Sequence, residues 1–571
     1  MQTKSIPDLA AVALLSAAVF AWAHLPAFTN PYVINDDVRQ QIFWMQSWQD
    51  PDLFRGDLLA DYARHYVSWG VQGLYWLAAA GMSPLTFSKV LPGFLFVGLG
   101  GCLFGIGRRL GGRGLGWTTA AVFWLMPVFL YNLAGGLARG FAAPLLTAFL
   151  LGWLAGRGWA MALLLLAMAL GIPYMVPVAA AAVLLAWSAH RLGYGPPPPF
   201  PAGPAQWAVL GAAAVLVVLF NQQFSASGYG PLVSYAEMAG RPEFTDHGRF
   251  AILPVPSPVW ELIAPWERLA PFREWGPIPG VIGTMGLLLL LVYGGRRLDW
   301  ERLRPGLPPL GYLALACLGF YCLARIFLLR LFIPDRYLIY FINICYCLAL
   351  ALCLRATLQA VPRLPAAGLA ALLVLAAVVG ALRLRGVGLY DFSCYRPASA
   401  ALAATPKDAV IAGHPNLMDN IPTFAARRAF ATFELAHPWA QGYWERLRPR
   451  LEELFTAYYA SDPAVVREFC RRHGISFLLV DERHFTPAFL AGGRFVIPFD
   501  PPLSPGRPGD RREKVNCPFF APFSAQIAGL VKGRRDFAVL SDAFPATRID
   551  THLRLLDLRP PAPGGRTKDG G

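Results

Sequence analysis

Apolar blocks of about twenty residues recur along this chain as far as residue 382 and then stop. A run of that length crosses the ~30 Å hydrocarbon core of a bilayer. The first two thirds therefore read as a multi-span membrane region, and residues 390–560 read as a water-facing domain. Composition agrees: of 571 residues, 56% are hydrophobic and 15% charged. A soluble chain carries about 25% charge, and a disordered one is poor in apolar residues. The formal charge of +15 is accounted for by membrane loops, with no need for nucleic acid. The run Leu9–Leu25 lacks a small-x-small cleavage site before Pro26, so it is taken as the first span.

Orientation follows from Lys and Arg in short loops. The clusters are Arg108-Arg109 with Arg113, Arg157, His190-Arg191, Arg296-Arg297 with Arg302 and Arg304, and Arg355 with Arg363. Placing all of them in the cytoplasm predicts spans at 8–26, 86–107, 115–134 and 140–156. A hairpin follows at 159–189, turning at Gly171–Tyr174. Further spans lie at 207–222, 278–294, 309–328, 336–354 and 366–382. The total is about eleven, with outer loops at 27–83 and 223–277. Tyr66–Gly81 is too short to span; its Tyr66, Trp69, Tyr75 and Trp76 suit a helix lying on the outer membrane surface. Pro196–Pro199 reads as a stiff linker.

The first outer loop is the informative stretch. It holds Asn35-Asp36-Asp37-Val38-Arg39, then Asp57, then Asp61-Tyr62-Ala63-Arg64. Paired acids permit a general base tuned by its like-charged neighbour. Arginines nearby suit phosphate oxygens. The plainer alternative is that Asp36 caps the following helix and pairs with Arg39. Phe43, Trp44 and Trp48 form an aromatic stripe suited to the bilayer surface. Arg139 opens a span after Gly135-Gly136. Arg325, Arg336 and Tyr337 flank a Pro-Asp-Arg-Tyr turn between two spans, and an arginine within a span is a functional candidate by default. The 223–277 loop reads as a substrate cover, with Glu237, Glu243 or His247 behind the reacting groups.

In the C-terminal third, 409–413, 428–434, 476–481, 537–540 and 553–558 read as strands, and 416–427, 445–459 and 463–473 as helices. That is an α/β unit with a parallel core; residues 561–571 read as a disordered tail. His414 and His437 read as loop histidines. Cys394, Cys470 and Cys517 allow one disulfide if this part lies outside the cytoplasm. No Walker loop or Gly-x-Gly-x-x-Gly opens a helix after a strand, which disfavours a nucleotide-driven enzyme.

An N-terminal span, then Asp36-Asp37-x-Arg39, then Tyr66–Gly81, then Phe87 to Pro92 running through Leu103-Phe104-Gly105 to Arg108-Arg109, resembles the GT-C superfamily. These are polytopic glycosyltransferases that use lipid-linked sugars, among them protein O-mannosyltransferases and the aminoarabinose transferases of lipid A. The match is to the superfamily and selects no subfamily. The resemblance implies a bacterial inner-membrane enzyme with transmembrane domain 1–389, a cytoplasmic N-terminus and a periplasmic α/β domain at 390–560. It implies that Asp36 is the base toward a periplasmic acceptor (protein, lipid or glycan) and that Asp37 orients it. It further implies that Arg39, Arg139, Arg325, Arg336 and Tyr337 meet a polyprenyl-phosphate-linked sugar donor, with Asp57, Asp61, Glu237 and His247 in support. A divalent cation stays open, because some members use one. The alternatives are a transporter or flippase of a lipid-linked glycan, or a non-catalytic assembly protein of the same architecture.

Overall fold

The computed structural model describes residues 6–245, 248–250, 252–259, 261, 277–331, 333–360, 378, 380–486 and 521–559. Most of the chain is helical, as a bilayer demands of backbone groups that cannot bond to water. Among the described residues, six helices are long and apolar enough to cross a membrane: Ile6–Thr29, Pro84–Trp124, Pro173–Arg191, Pro204–Ala226, Trp300–Ile326 and Arg336–Ala360. Shorter apolar helices lie at Ala138–Leu154, Gly158–Gly171 and Gly283–Gly295. The expected span at 366–382 falls almost wholly outside the described residues, as do the expected tail at 561–571, His247 and Cys517.

Helix Pro84–Trp124 opens with Pro84 after an N-cap, Ser83, whose Oγ accepts from Thr86 N at 3.1 Å. It is two helices joined at a kink. Gly111 leaves helical geometry, and Gly112 takes φ 82°, ψ −173°, a conformation open in practice only to glycine. The second half stops at Trp124, so the expected 115–134 span is not one helix. Pro127 brings no N–H and drives Met126 into an extended conformation (φ −98°, ψ 100°), and a new helix, Pro127–Leu133, begins there.

The 159–189 stretch folds as a pair of helices, Gly158–Gly171 and Val176–Arg191. The carbonyl of Gly171 accepts from Ser68 Oγ at 2.8 Å. At the other end, a Cβ on Gly158 would come within 2.2 Å of the Pro199 carbonyl. The turn and the two feet therefore lie at opposite ends, as a hairpin requires. The same feet share an end with most basic clusters. Arg113 makes two bonds of 2.7 Å to Asp8, and Arg109 donates to Leu154 O at 3.1 Å. The guanidinium groups of Arg302 and Arg355 abut Gly112 and Gly114.

At the opposite end the first outer loop is clamped. Lys89 donates to three carbonyls where the first helix ends, Ala27 (2.7 Å), Asn30 (2.9 Å) and Pro31 (3.3 Å), a cation on the negative pole of a helix. Strand β1 (Val33–Ile34) pairs antiparallel with β2 (Tyr390–Asp391), and Asn30 Nδ2 donates to Ser393 Oγ at 2.8 Å. Two short helices follow, Leu58–Tyr66 and Trp69–Ala78. Their aromatic residues are not simple membrane anchors. Tyr75 is fully buried and donates to Gly135 O at 3.1 Å; Tyr66 donates to Gln40 O at 3.1 Å, and Trp69 to Gln223 Oε1 at 2.6 Å. Only Trp76 is well exposed. Phe43 and Trp44 are likewise buried against protein, because the Val33–Ile34 pairing holds this loop under the C-terminal unit.

The C-terminal unit is built on a five-stranded sheet of order β4-β3-β5-β7-β6. Strands β4 (Arg428–Ala429), β3 (Val410–Gly413) and β5 (Phe477–Asp481) are parallel; β7 (Leu553–Asp557) and β6 (Ala546–Arg548) add antiparallel. All five residues of β5 are buried, as a strand covered on both faces should be. Helices Gln441–Tyr458 and Pro463–His473 cover it, the second capped by Asp462 and stopped by Gly474 in the left-handed conformation. The expected strand at 428–434 ends at Ala429, and the chain turns away to place Glu434 in the site described below. The expected strand at 537–540 is a 3-10 turn, Ala538–Leu540. No disulfide joins Cys394 to Cys470.

Substituting Gly112→Ala is expected to lower the thermal stability of the detergent-solubilised protein by about 1–3 kcal/mol, the cost of a Cβ in that conformation. An unchanged melting temperature would contradict the kink described here.

Candidate functional site

The acidic pair sits in a tight turn. Asn35 Oδ1 accepts from Asp37 N at 3.2 Å, while its Nδ2 donates to Gly388 O at 2.7 Å. Asp36 does not cap the next helix. It binds Arg39, whose guanidinium also donates to Asn420 Oδ1 at 3.0 Å and stacks on Phe392 at 4.1 Å. The Asp36 carboxylate is 38% exposed. Arg39 takes its Oδ1, and among the described residues no donor reaches Oδ2.

Asp37 faces the bundle and binds Arg139 through Oδ2. Arg139 also donates to Asn35 Oδ1 at 3.1 Å. The glycines before it explain how it arrives. Gly135 and Gly136 have φ 89° and 62°, and a Cβ on Gly135 would sit 3.0 Å from Asn35. Only glycine lets this turn approach so closely. Burial pushes the Asp37 carboxyl up, but the charges of Arg139 and Arg336 more than offset this and hold it below the usual range. Arg336 thus acts on the same acid; its guanidinium donates to Tyr340 Oη at 3.2 Å. The Nε atoms of Arg139 and Arg336 are both buried with no hydrogen-bond partner among the described residues.

A polar relay runs from Asp37 into the C-terminal unit. Gln40 Nε2 donates to Asp37 Oδ1 at 2.6 Å. A carboxylate accepts only, so the amide nitrogen must face it and Gln40 Oε1 must face His437 Nε2, 3.1 Å away. His437 therefore carries its proton on Nε2, and Nδ1 accepts from Tyr62 Oη at 2.9 Å. Burial, and the charge of Arg249, hold this imidazole neutral, well below its ordinary pKa. His437 thus lies in a loop, as expected, yet it is a buried link across the interface.

A second cluster backs Asp36. Glu434 lies 3.5 Å from Arg39 and 3.3 Å from Arg249. Arg249, from the 223–277 loop, also donates to the carbonyls of Phe433 (2.8 Å) and Glu434 (3.0 Å). Asp419 accepts from Glu434 N at 2.8 Å. Burial pushes the Asp419 carboxyl up to about 7 against the pull of Arg39. Burial, with Asp36 alongside, also pushes Glu434 well up. The described part of the 223–277 loop is stitched to the C-terminal unit, with Val233 N donating to Trp439 O at 3.0 Å and Gln441 N to Pro231 O at 3.0 Å.

The structure brings Asp36, Asp37, Arg39, Arg139 and Arg336 together. It does not bring the other candidates to them. Arg325 pairs with Glu261 at 3.0 Å and donates to Pro256 O and Tyr321 Oη, none of which touches the acidic pair. Tyr337 gives its hydroxyl to Leu331 O at 2.6 Å. Glu237 closes a capping box with Ser234, and Glu243 accepts from Trp444 Nε1 at 3.3 Å. Asp57 caps helix Leu58–Tyr66, and Asp61 accepts from Tyr229 Oη at 2.5 Å. Tyr229 packs edge-on against Tyr62 at 5.4 Å, but among the described residues neither acid is hydrogen-bonded to the relay. Among the described residues no three His, Cys, Asp or Glu side chains converge to hold a metal. Each acid of the pair carries a guanidinium.

No protein-family model matches the chain, and no curated protein matches it. Several solved structures are similar to it over most of its length, two of them as follows. The apo oligosaccharyltransferase of Archaeoglobus fulgidus is 12% identical across 86% of this chain and 71% of its own, with a TM-score of 0.48. The apo ArnT of Cupriavidus metallidurans is 13% identical across 87% of this chain and 96% of its own, with a TM-score of 0.35.

Two outcomes follow from these contacts. A double-mutant cycle on Asp37→Asn and Arg139→Gln is expected to give a coupling of about 0.5–3 kcal/mol in thermal unfolding; simple additivity would contradict the pairing. Folded Asp419 keeps its proton up to about 7, whereas the unfolded chain releases it near ~4. The native state thus binds more protons in between, and stability falls as pH rises through that window. Asp419→Asn is expected to flatten this fall in melting temperature; an unaltered slope would contradict it.

Proposed function

We propose that this protein is a membrane glycosyltransferase that moves a sugar from a polyprenyl-phosphate donor to an acceptor on the outer face of the membrane. One observation carries the reading. An acidic pair and two arginines with unpartnered buried Nε atoms, Arg139 and Arg336, converge at one end of an apolar helical bundle. That end lies opposite Asp8 and the basic clusters, which supports placing it on the periplasmic side of a bacterial inner membrane.

The unpartnered donors favour a phosphate. Five carboxyls (Asp36, Asp37, Asp335, Asp419, Glu434) lie against four guanidinium groups (Arg39, Arg139, Arg249, Arg336). Asp419 and Glu434 titrate upward, which eases the crowding of negative charge. Arg139 and Arg336 each still have an Nε donor to offer a phosphate oxygen.

The two acids divide the work by environment. Asp37 is held ionised by two arginines and orients Arg139. Asp36 is the more accessible, with Oδ2 free to receive a proton. The acceptor O–H gives its proton to Asp36 Oδ2, the acceptor oxygen bonds to the anomeric carbon, and the bond from that carbon to the lipid phosphate breaks. The phosphate departs with the electron pair, and its charge is met by Arg139 and Arg336. Tyr62, His437 and Gln40 hold the turn without exchanging protons with it.

Asp36→Asn is expected to cut transfer by about 10²–10⁴-fold, the usual contribution of a general base, with normal membrane insertion. The assay is a comparison of surface glycans between a deletion strain complemented with wild type and one complemented with the variant. Full complementation by Asp36→Asn would overturn the assignment of the base.

A further inference from the structure

Helix Leu58–Tyr66 has two working faces. Tyr62 points to His437 and the Asp37 relay. The adjoining face, with Asp61 and Arg64, lines a cavity of about 900 Å3, which Trp44, Trp48, Asp57, Tyr229 and Arg450 also line. That volume lies at the upper end of the range for small-molecule sites. Asp36 and Asp37 are not among its walls.

The walls carry unmet polar capacity. Asp57 is 7% exposed and Trp44 is 1% exposed, yet Asp57 Oδ2 and Trp44 Nε1 have no hydrogen-bond partner among the described residues. A buried acceptor and a buried donor left open cost stability unless something fills them. Arg64 lies over the Trp44 ring at 5.1 Å, and Arg450 lies near Phe430 at 5.3 Å. Neither has a carboxylate partner among the described ion pairs. Trp44 and Trp48 meet edge to face at 5.1 Å, so indole surface bounds one side of the cavity. Arg450 comes from the C-terminal unit, Tyr229 from the 223–277 loop and the other walls from the first outer loop, so the cavity exists only where these three are docked.

We infer that this cavity is a binding site for an acidic oligosaccharide, distinct from the acidic-pair site. Indole surface suits the apolar face of a sugar ring. Asp57 Oδ2 accepts from a sugar hydroxyl, and Trp44 Nε1 donates to a ring or hydroxyl oxygen. Arg64 and Arg450 meet a carboxylate or phosphate substituent. The inference does not rest on the transfer reading, because binding here needs neither donor nor Asp36.

The test uses the full-length protein in nanodiscs on an array of neutral, uronic-acid-containing and phosphorylated saccharides, with affinities then measured for trigalacturonic acid and maltotriose. Saturable binding of trigalacturonic acid is expected, weakened about tenfold or more in Trp48→Ala and Arg450→Gln, the loss expected for a charged hydrogen bond. Arg450→Lys is expected to bind better than Arg450→Gln, which separates lost charge from lost folding; equal melting temperatures complete that control. Asp36→Asn is expected to bind like wild type, so loss of transfer and loss of binding remain separable. The inference is overturned by no acidic saccharide binding, by maltotriose binding as tightly, or by binding indifferent to Trp48 and Arg450.

Discussion

Everything at the functional end depends on one ion pair, Asp37 with Arg139, formed between a loop and the start of a membrane helix. A carboxylate this enclosed is tolerable only with a partner and further hydrogen bonds. Arg139, Gln40 and the field of Arg336 supply them. Each of these partners is itself fixed from elsewhere. Gly135 and Gly136 deliver Arg139, His437 holds the amide of Gln40, and Lys89 and the β1–β2 pair fix the loop that carries Asp37. The pair thus registers three parts of the molecule against one another.

That registration separates the two acids chemically. Asp37 spends its charge on the protein, whereas Asp36 keeps one oxygen toward open space and leans on Arg39. Behind Arg39 stand Glu434, Asp419 and Arg249, contributed by the C-terminal unit and the 223–277 loop. The surface beside Asp36 is therefore assembled from the first outer loop, the 223–277 loop and the C-terminal unit. Movement of the C-terminal unit would open the charge cluster, the relay and the aromatic cavity together.

Local signals in the sequence carried the apolar helices and the acidic pair with its nearest arginines. Apolar runs mark where helices must be, and Asp36-Asp37-x-Arg39 and Gly135-Gly136 before Arg139 are each readable within a few residues. The hairpin at 159–189 followed from charge balance. What the sequence could not reveal was long-range pairing. Nothing near Glu434, Asp419 or His437 says that they meet a loop nearly 400 positions earlier, and 428–434 has a strand's composition although only Arg428–Ala429 pairs. Tyr66 and Tyr75 misled for the same reason: an amphipathic ring suits a membrane surface and a buried backbone carbonyl equally well. Arg325 showed the converse, since its partner Glu261 lies in a long loop with no visible spacing rule.

The central claim is that Arg139 and Arg336 hold a lipid phosphate beside Asp36. The most direct measurement is a cryo-electron microscopy map of the protein in nanodiscs with added polyprenyl phosphate. The account predicts phosphate density within hydrogen-bonding reach of Arg139 and Arg336. Density seated instead at Arg325, with Arg139 and Arg336 unchanged, would contradict it.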